Sequence, residues 1–361
     1  MTLIFVVILV ALVFEYINGF HDTANSIATV VSTKVLTPRA AIMLAAFTNL
    51  FGAMYGTAVA KTISSGLLDA KIFTLNNKTL VCALMAAIIW NLVTWYVGLP
   101  SSSSHALIGG LCGAAVAAAK DNWHVIIWSQ PNAEHWYKGK GLFWKVILPM
   151  FSSPIIGLLL GFVLMAILYI TLQKVRPQTI NRLFGKMQIL SAGGMGFMHG
   201  TNDAQKTMGI IALALVAGAN TGALDNLPKW LSFLHTPPPA PGKDLEIALW
   251  IKILCGLTMA AGTAAGGWRI IKTLGHKMVK LHPINGFAAE TSSAAVIFAA
   301  TEFGIPVSTT HVISSSIMGV GAARRFNAVN WSVVQKMIWA WILTIPICGA
   351  IAYSFVRVFL K

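Results

Sequence analysis

The sequence predicts an all-α, polytopic membrane protein built from two related halves, and three observations predict it. Hydrophobic residues fill 56% of the 361 positions and charged residues only 10%, against about 25% charged in soluble domains. The apolar residues gather into runs long enough to cross a hydrocarbon layer, which takes about 20 residues. Short polar motifs inside those runs recur in the same order in each half.

The net charge of +15 comes from basic residues lying mostly between the apolar runs, which suits loops at lipid headgroups. A nucleic-acid partner would call for a soluble basic face with aromatics. No such module is present, and the expected surroundings are the lipid bilayer. Cys82, Cys112, Cys255 and Cys348 all fall in apolar segments. Their spacing matches neither a disulfide framework nor a zinc site, so they read as small hydrophobes. The run from Met1 to Val13 lacks a basic leader and a cleavage site, which predicts a retained first helix.

Apolar segments are expected near 2–32, 39–60, 79–98, 99–119 and 142–172, then near 187–218, 246–268, 284–304, 305–323 and 331–360. They define a first repeat, 1–172, and a second, 187–361, joined by a connector, 173–186, within one transmembrane domain spanning 1–361. The longer loops are 120–141 and 219–245. In the latter, Pro237-Pro238-Pro239 predicts an extended connection.

The two sets overlay. Gly19-Phe20-His21-Asp22 matches Gly200-Thr201-Asn202-Asp203. Gly56-Thr57-Ala58 matches Gly262-Thr263-Ala264, and Gly98-Leu99-Pro100 through His105 matches Gly304-Ile305-Pro306 through His311. Three matches in one order argue for duplication. Five segments per repeat make the second copy enter from the opposite face, an inverted-topology repeat with 10–12 spans in all. Lys174, Arg176, Arg182 and Lys186 in one connection, and Arg269, Lys272, Lys277 and Lys280 in another, stand without an acid between them. The positive-inside rule makes both connections cytoplasmic. The protein is then a multi-pass component of the cell's inner (plasma) membrane with both termini outside. Segments 99–119 and 305–323 are expected either to cross or to form broken helices or re-entrant hairpins.

Asp22 and Asp203 follow a glycine by three residues in equivalent segments, so pseudo-symmetry brings them together. Carboxylates at membrane depth bind cations or exchange protons; the alternative is a structural pair, such as Asp203 with Lys206. The Pro-Ser-Ser-Ser-Ser-His and Pro-Val-Ser-Thr-Thr-His motifs read as helix starts, with proline in the first turn and hydroxyls capping free N–H groups. Two such starts aimed at one point make an oxyanion site from Ser102, Ser103, Ser104, Ser308, Thr309 and Thr310. His105 and His311 either serve the anion, protons or a metal, or bond within their own helix starts. His21 and His199 lie near the aspartates, without a standard zinc spacing. Glu15 lies two helical turns before Asp22 on the same face, whereas Glu290 and Glu302 are expected near helix ends.

On Gly19-Phe20-His21-Asp22-Thr23-Ala24-Asn25, Gly200-Thr201-Asn202-Asp203-Ala204-Gln205-Lys206 and the two Pro-x-Ser/Thr-rich-His segments, the chain resembles the PiT family of inorganic phosphate transporters over essentially its whole length. It is most similar to the bacterial low-affinity branch. The resemblance implies symport of phosphate with a cation. Asp22 and Asp203, with His21, then belong to cation or proton coupling. Asn25, Asn202 and Lys206 join the hydroxyls at the phosphate site. That branch is associated with protons and with metal–phosphate complexes such as those of Mg2+, so no resident cofactor is expected. The chain departs from the family signature where His21 replaces an asparagine and Lys206 another. A lysine ammonium standing in a cation position favours protons over sodium. The competing readings are a divalent-metal transporter, a passive anion channel and an intramembrane hydrolase. Against the hydrolase, both motifs are duplicated where a catalytic pair is needed once, and no Gly-x-Ser-x-Gly elbow occurs. A homo-oligomer is compatible with all of these.

Overall fold

The computed structural model describes residues 2–69, 76–132, 139–225, 227–234 and 246–360. Among them are twelve α-helices in two successive sets. The first set is α1 (Thr2–Ser32), α2 (Pro38–Met54), α3 (Ala58–Ser65), α4 (Asn77–Val97), α5 (Ser103–Ala118) and α6 (Leu148–Leu172). The second is α7 (Pro177–Asn220), α8 (Leu249–Ala265), α9 (Trp268–Lys272), α10 (Pro283–Glu302), α11 (Thr309–Arg324) and α12 (Trp331–Phe359). Each set runs long helix, broken helix, hairpin, long apolar helix.

Four helices, α1, α4, α6 with its lead-in from Phe143, and α12, are long and apolar enough to cross a membrane; counting each broken pair as one span gives six. The expected 10–12 spans would need further helices such as α7 and α10, which carry buried polar residues. The connector 173–186 is not a loop throughout: α7 begins at Pro177 and incorporates most of it. Proline suits that first turn because its missing N–H would have no helical partner. The Pro237–Pro239 run lies outside the described residues.

The broken pairs bend by 70° between α2 and α3 and by 60° between α8 and the Trp268–Lys277 segment. A break frees backbone N–H groups that must find other partners. At α3 the Gln205 side chain supplies one, its Oε1 accepting from Val59 N at 2.8 Å and Ala60 N at 3.3 Å while its Nε2 donates to Tyr55 O at 3.2 Å. The breaks also correct one sequence match. Gly56 sits in the first break, but Gly262 lies inside α8, ahead of the break at Gly266 and Gly267. The two Gly-Thr-Ala triplets are not structural equivalents.

The other two matches do correspond in space. Between α4 and α5, and between α10 and α11, the chain reverses at Gly98 (φ +71°) and Gly304 (φ +61°). Only glycine adopts that left-handed conformation without strain. α5 and α11 have 16 residues each, a rise of about 24 Å, short of the roughly 30 Å hydrocarbon core. Their starts meet in the protein interior: Ser104 Oγ donates to Val307 O at 3.4 Å, and the His105 and His311 rings lie 4.8 Å apart, edge to face. Segments 99–119 and 305–323 thus belong to helix hairpins with buried tips.

The two sets interlock. α6 packs on α11 and α12 on α5, while α1 lies against α8 and α2 against α7. Two apolar cores result. One gathers the N-terminal half of α1, α4, α5 and the C-terminal half of α7; the other gathers the C-terminal half of α1, α10, α11 and the N-terminal half of α7. The polar layer at 18–25 and 199–206 lies between them. Outside, α6 presents Phe151, Ile155, Leu159 and Ile170, a face that water would not wet and lipid does. At the rim, the Tyr353 hydroxyl, bonded at 2.6 Å, and the Arg357 guanidinium hold the Asp121 carboxyl below its usual range.

Candidate functional site

α1 and α7 run antiparallel through the centre. Thr207 on α7 bonds Glu15 on α1, and Glu290 joins Thr29 on α1 to Gln188 and Ser191 on α7. Asp22 and Asp203 therefore meet midway. With His199 they form a group whose ligand atoms all lie within 4.8 Å of one another, every member buried. Removing carboxylates from water is expensive unless charges and donors compensate, and each aspartate is compensated differently.

Asp22 accepts hydroxyl hydrogen bonds from both hairpins, Ser103 Oγ at 3.1 Å and Thr310 Oγ1 at 3.3 Å. His21 Nδ1 lies 2.7 Å from the same carboxylate, and the ring's Nε2 reaches Thr94 Oγ1 at 3.1 Å and Ser101 Oγ at 3.4 Å. Asp203 accepts from Thr309 Oγ1 at 3.0 Å and pairs with the Lys206 ammonium. His199 Nε2 stands 3.1 Å from it, out of hydrogen-bonding alignment. The structural pairing of Asp203 with Lys206, one of the alternatives raised by the sequence, is present. It is not the whole role of the lysine. The ammonium also donates to Ser104 Oγ and, at 3.1 Å, to Val307 O, so it sits among the converging helix starts.

Ser102 and Ser308 hold those starts in shape. Each hydroxyl oxygen caps its helix by accepting a backbone N–H, from His105 at 3.1 Å and from His311 at 3.2 Å. The next two hydroxyls of each motif, Ser103 and Ser104, Thr309 and Thr310, line the polar layer. Asn25 Nδ2 donates to Thr309 Oγ1 at 3.2 Å and Thr310 Oγ1 at 2.9 Å, leaving its Oδ1 without a partner. Asn202 faces elsewhere: its Nδ2 donates to Thr301 Oγ1 at 2.9 Å and Ile305 O at 3.4 Å. It braces its own hairpin as His21 braces the other, which explains how two different residues fill equivalent positions.

His105 and His311 lie against each other, and His311 stacks on Trp341 with ring centroids 4.1 Å apart. The His105 Nδ1 and both His311 ring nitrogens lack partners. Glu290 is mid-helix and fully buried, against the expectation of a helix end, because Thr29, Gln188 and Ser191 all donate to it. Glu302 does close α10. Asn49 was not singled out in the sequence. Its Nδ2 donates to Thr263 Oγ1 at 2.9 Å and its Oδ1 lies 3.2 Å from His199 Nδ1. An amide inside the apolar run Ala45–Ala53 was the available signal.

Residues 18–352 match the model of the phosphate transporter family. A Bacillus subtilis protein named a probable low-affinity inorganic phosphate transporter is 47% identical over 352 residues, covering 96% of this chain and 95% of its own. A Rhizobium meliloti protein of the same name is 42% identical over 346 residues, covering 96% and 93%. A solved structure named the sodium-dependent phosphate transporter superposes with a TM-score of 0.81 over 100% of this chain and 99% of its own. At 23% identity that likeness shows a shared fold. The chain is a multi-pass membrane protein whose work is transport rather than catalysis, and it belongs to the phosphate transporter family.

Proposed function

We propose that the protein imports inorganic phosphate across the cell's inner (plasma) membrane by symport with protons, with both termini outside. The observation that carries this is the convergence of two capped helix starts, four inward hydroxyls and the Lys206 ammonium on one buried layer. Helix N-termini offer N–H groups and positive dipole ends to an anion, hydroxyls adapt to several acceptor oxygens, and the ammonium supplies charge. Asn25 and Asn202 add amides at the layer and behind it. Asp22, Asp203 and His21 handle the coupling cation. A resident ammonium on Asp203 favours protons over sodium there.

A second reading has its own support. Two carboxylates and an imidazole within 4.8 Å suit a cation, and Mg2+ favours oxygen ligands with water or phosphate completing its shell. Since Lys206 already occupies Asp203, a metal is better placed arriving with phosphate than alone.

Radiolabelled phosphate uptake into proteoliposomes tests the proposal. A pH gradient without sodium should concentrate phosphate above equilibrium. Uptake that needs a sodium gradient overturns proton coupling, uptake that stops at equilibrium indicates a channel, and metal uptake without phosphate indicates a metal transporter.

The hydroxyls divide by role. Ser103→Ala or Thr309→Val should raise the phosphate KM about tenfold, the worth of roughly 1.4 kcal/mol. Ser102→Ala should instead cost about 1 kcal/mol of stability as a lost cap, read as a lowered Tm in detergent with a smaller KM change.

A further inference from the structure

Glu15 is fully buried in α1, with no part in the site built around Asp22 and Asp203. Its Oε2 accepts from Thr207 Oγ1 on α7. Its Oε1 has no partner, and neither does Asn18 Oδ1 one turn further along. The Asn18 NH2 also acts on Glu15 as a donor, yet Oε1 itself keeps no partner among the described residues. On α4, which packs against α1, both polar atoms of the buried Asn91 side chain, three residues before the Thr94 that bonds His21, are unpartnered among the described residues as well.

The groups facing Glu15 are few. Asp203 and Lys206 act on it from α7, and the Cys255 thiol faces it from α8. Lys78 and Lys252 are the only charged residues of α4 and α8. Among the described residues no base pairs with Glu15, whereas Asp203 has Lys206. An ionised carboxylate in such a place is strongly disfavoured. A protonated one gains a donor, as an O–H on the orphaned oxygen.

From these contacts we infer that Glu15 is a further proton-binding residue of the symport. The inference rests on the proton-coupled reading above and adds to Asp22, Asp203 and His21 a group outside the polar layer. Loading forms one O–H bond at Oε1 and unloading breaks it; no other bond changes. The benefit to phosphate is electrostatic. Asp22, Asp203 and Lys206 leave one negative charge in the polar layer, and an ionised Glu15 would add a second. Neutralising Glu15 first lets an anion enter. Thr207 is the link, bonded to Glu15 and adjacent in sequence to Lys206.

The test uses purified protein in proteoliposomes. Glu15→Gln mimics the loaded state, so exchange of radiolabelled phosphate across the membrane at equal pH should persist within about twofold and lose its pH dependence. Accumulation driven by a pH gradient should fall at least tenfold. Accumulation at the wild-type level in Glu15→Gln overturns the assignment. So does loss of both activities in a protein that elutes as a folded species, which would make Glu15 structural. Glu15→Asp keeps a titratable group and should still accumulate phosphate, with a shifted pH midpoint; an unshifted midpoint also counts against the assignment. If the wild type itself fails to respond to a pH gradient, the proton-coupled reading falls instead, before any variant is compared.

Discussion

Asp22→Asn and Asp203→Asn each reduce concentrative phosphate uptake to background, a loss of at least about 100-fold, or roughly 2.7 kcal/mol in the transport barrier. The geometry gives the reason. Asp22 receives hydroxyls from both hairpins, Ser103 from one and Thr310 from the other. An asparagine keeps the shape but turns an NH2 toward groups that were donating. It also removes the charge that a coupling cation meets. The two variants should differ in stability, which sequence symmetry alone does not suggest. Among the described residues Asp22 has no lysine or arginine partner, so its replacement leaves no stranded cation. Asp203 is the counter-ion of a buried lysine, and removing one partner of a buried pair costs about 3–5 kcal/mol. Asp203→Asn should therefore melt well below Asp22→Asn in detergent. Wild-type uptake by either variant would remove that aspartate from the mechanism; equal melting temperatures would show that Lys206 finds other compensation.

Much of this was legible in the chain because membranes simplify sequence. Charged residues are sparse in the spans, so Asp22, His21 and Asp203 stand out against apolar neighbours, and the recurrence of the aspartates pairs them. Pro100 and Pro306 with their hydroxyls mark helix starts for the same reason. What stayed hidden depends on packing between distant segments. Nothing local says that Gln205 plugs the break between α2 and α3, since its contacts lie some 145 residues away. The Gly-Thr-Ala triplets misled because three small residues suit either a break or a close helix crossing, and Gly56 and Gly262 do one each. Asn202 was grouped with the phosphate ligands by its place in the motif, whereas its side chain turns away to Thr301. The position on the helix was readable; the rotamer was not.

Lys206→Asn restores the pattern of the first copy, in which Asn25 holds the equivalent place, and it should exchange one coupling ion for another. The lysine ammonium is bonded to Asp203, Ser104 and Val307 O. It meets an acid, a hydroxyl and a carbonyl, three oxygen ligands of the kind an alkali cation takes. Replacing it with an amide leaves that cage, together with Asp22 and His199 close by, without its internal charge. In sodium-free medium, uptake driven by a pH gradient should fall at least about 100-fold, because an anion then faces two carboxylates with no resident cation, and each tenfold corresponds to about 1.4 kcal/mol. A sodium gradient should restore part of the loss by filling the vacated position. Lys206→Met, which offers no oxygen ligand in place of the ammonium, should lose the same uptake and recover less. If Lys206→Asn keeps proton-driven uptake, the lysine is a structural partner of Asp203 alone. If neither gradient drives uptake in a folded Lys206→Asn protein, the ammonium is needed for phosphate itself, and the preference for protons must be sought elsewhere on α1 and α7.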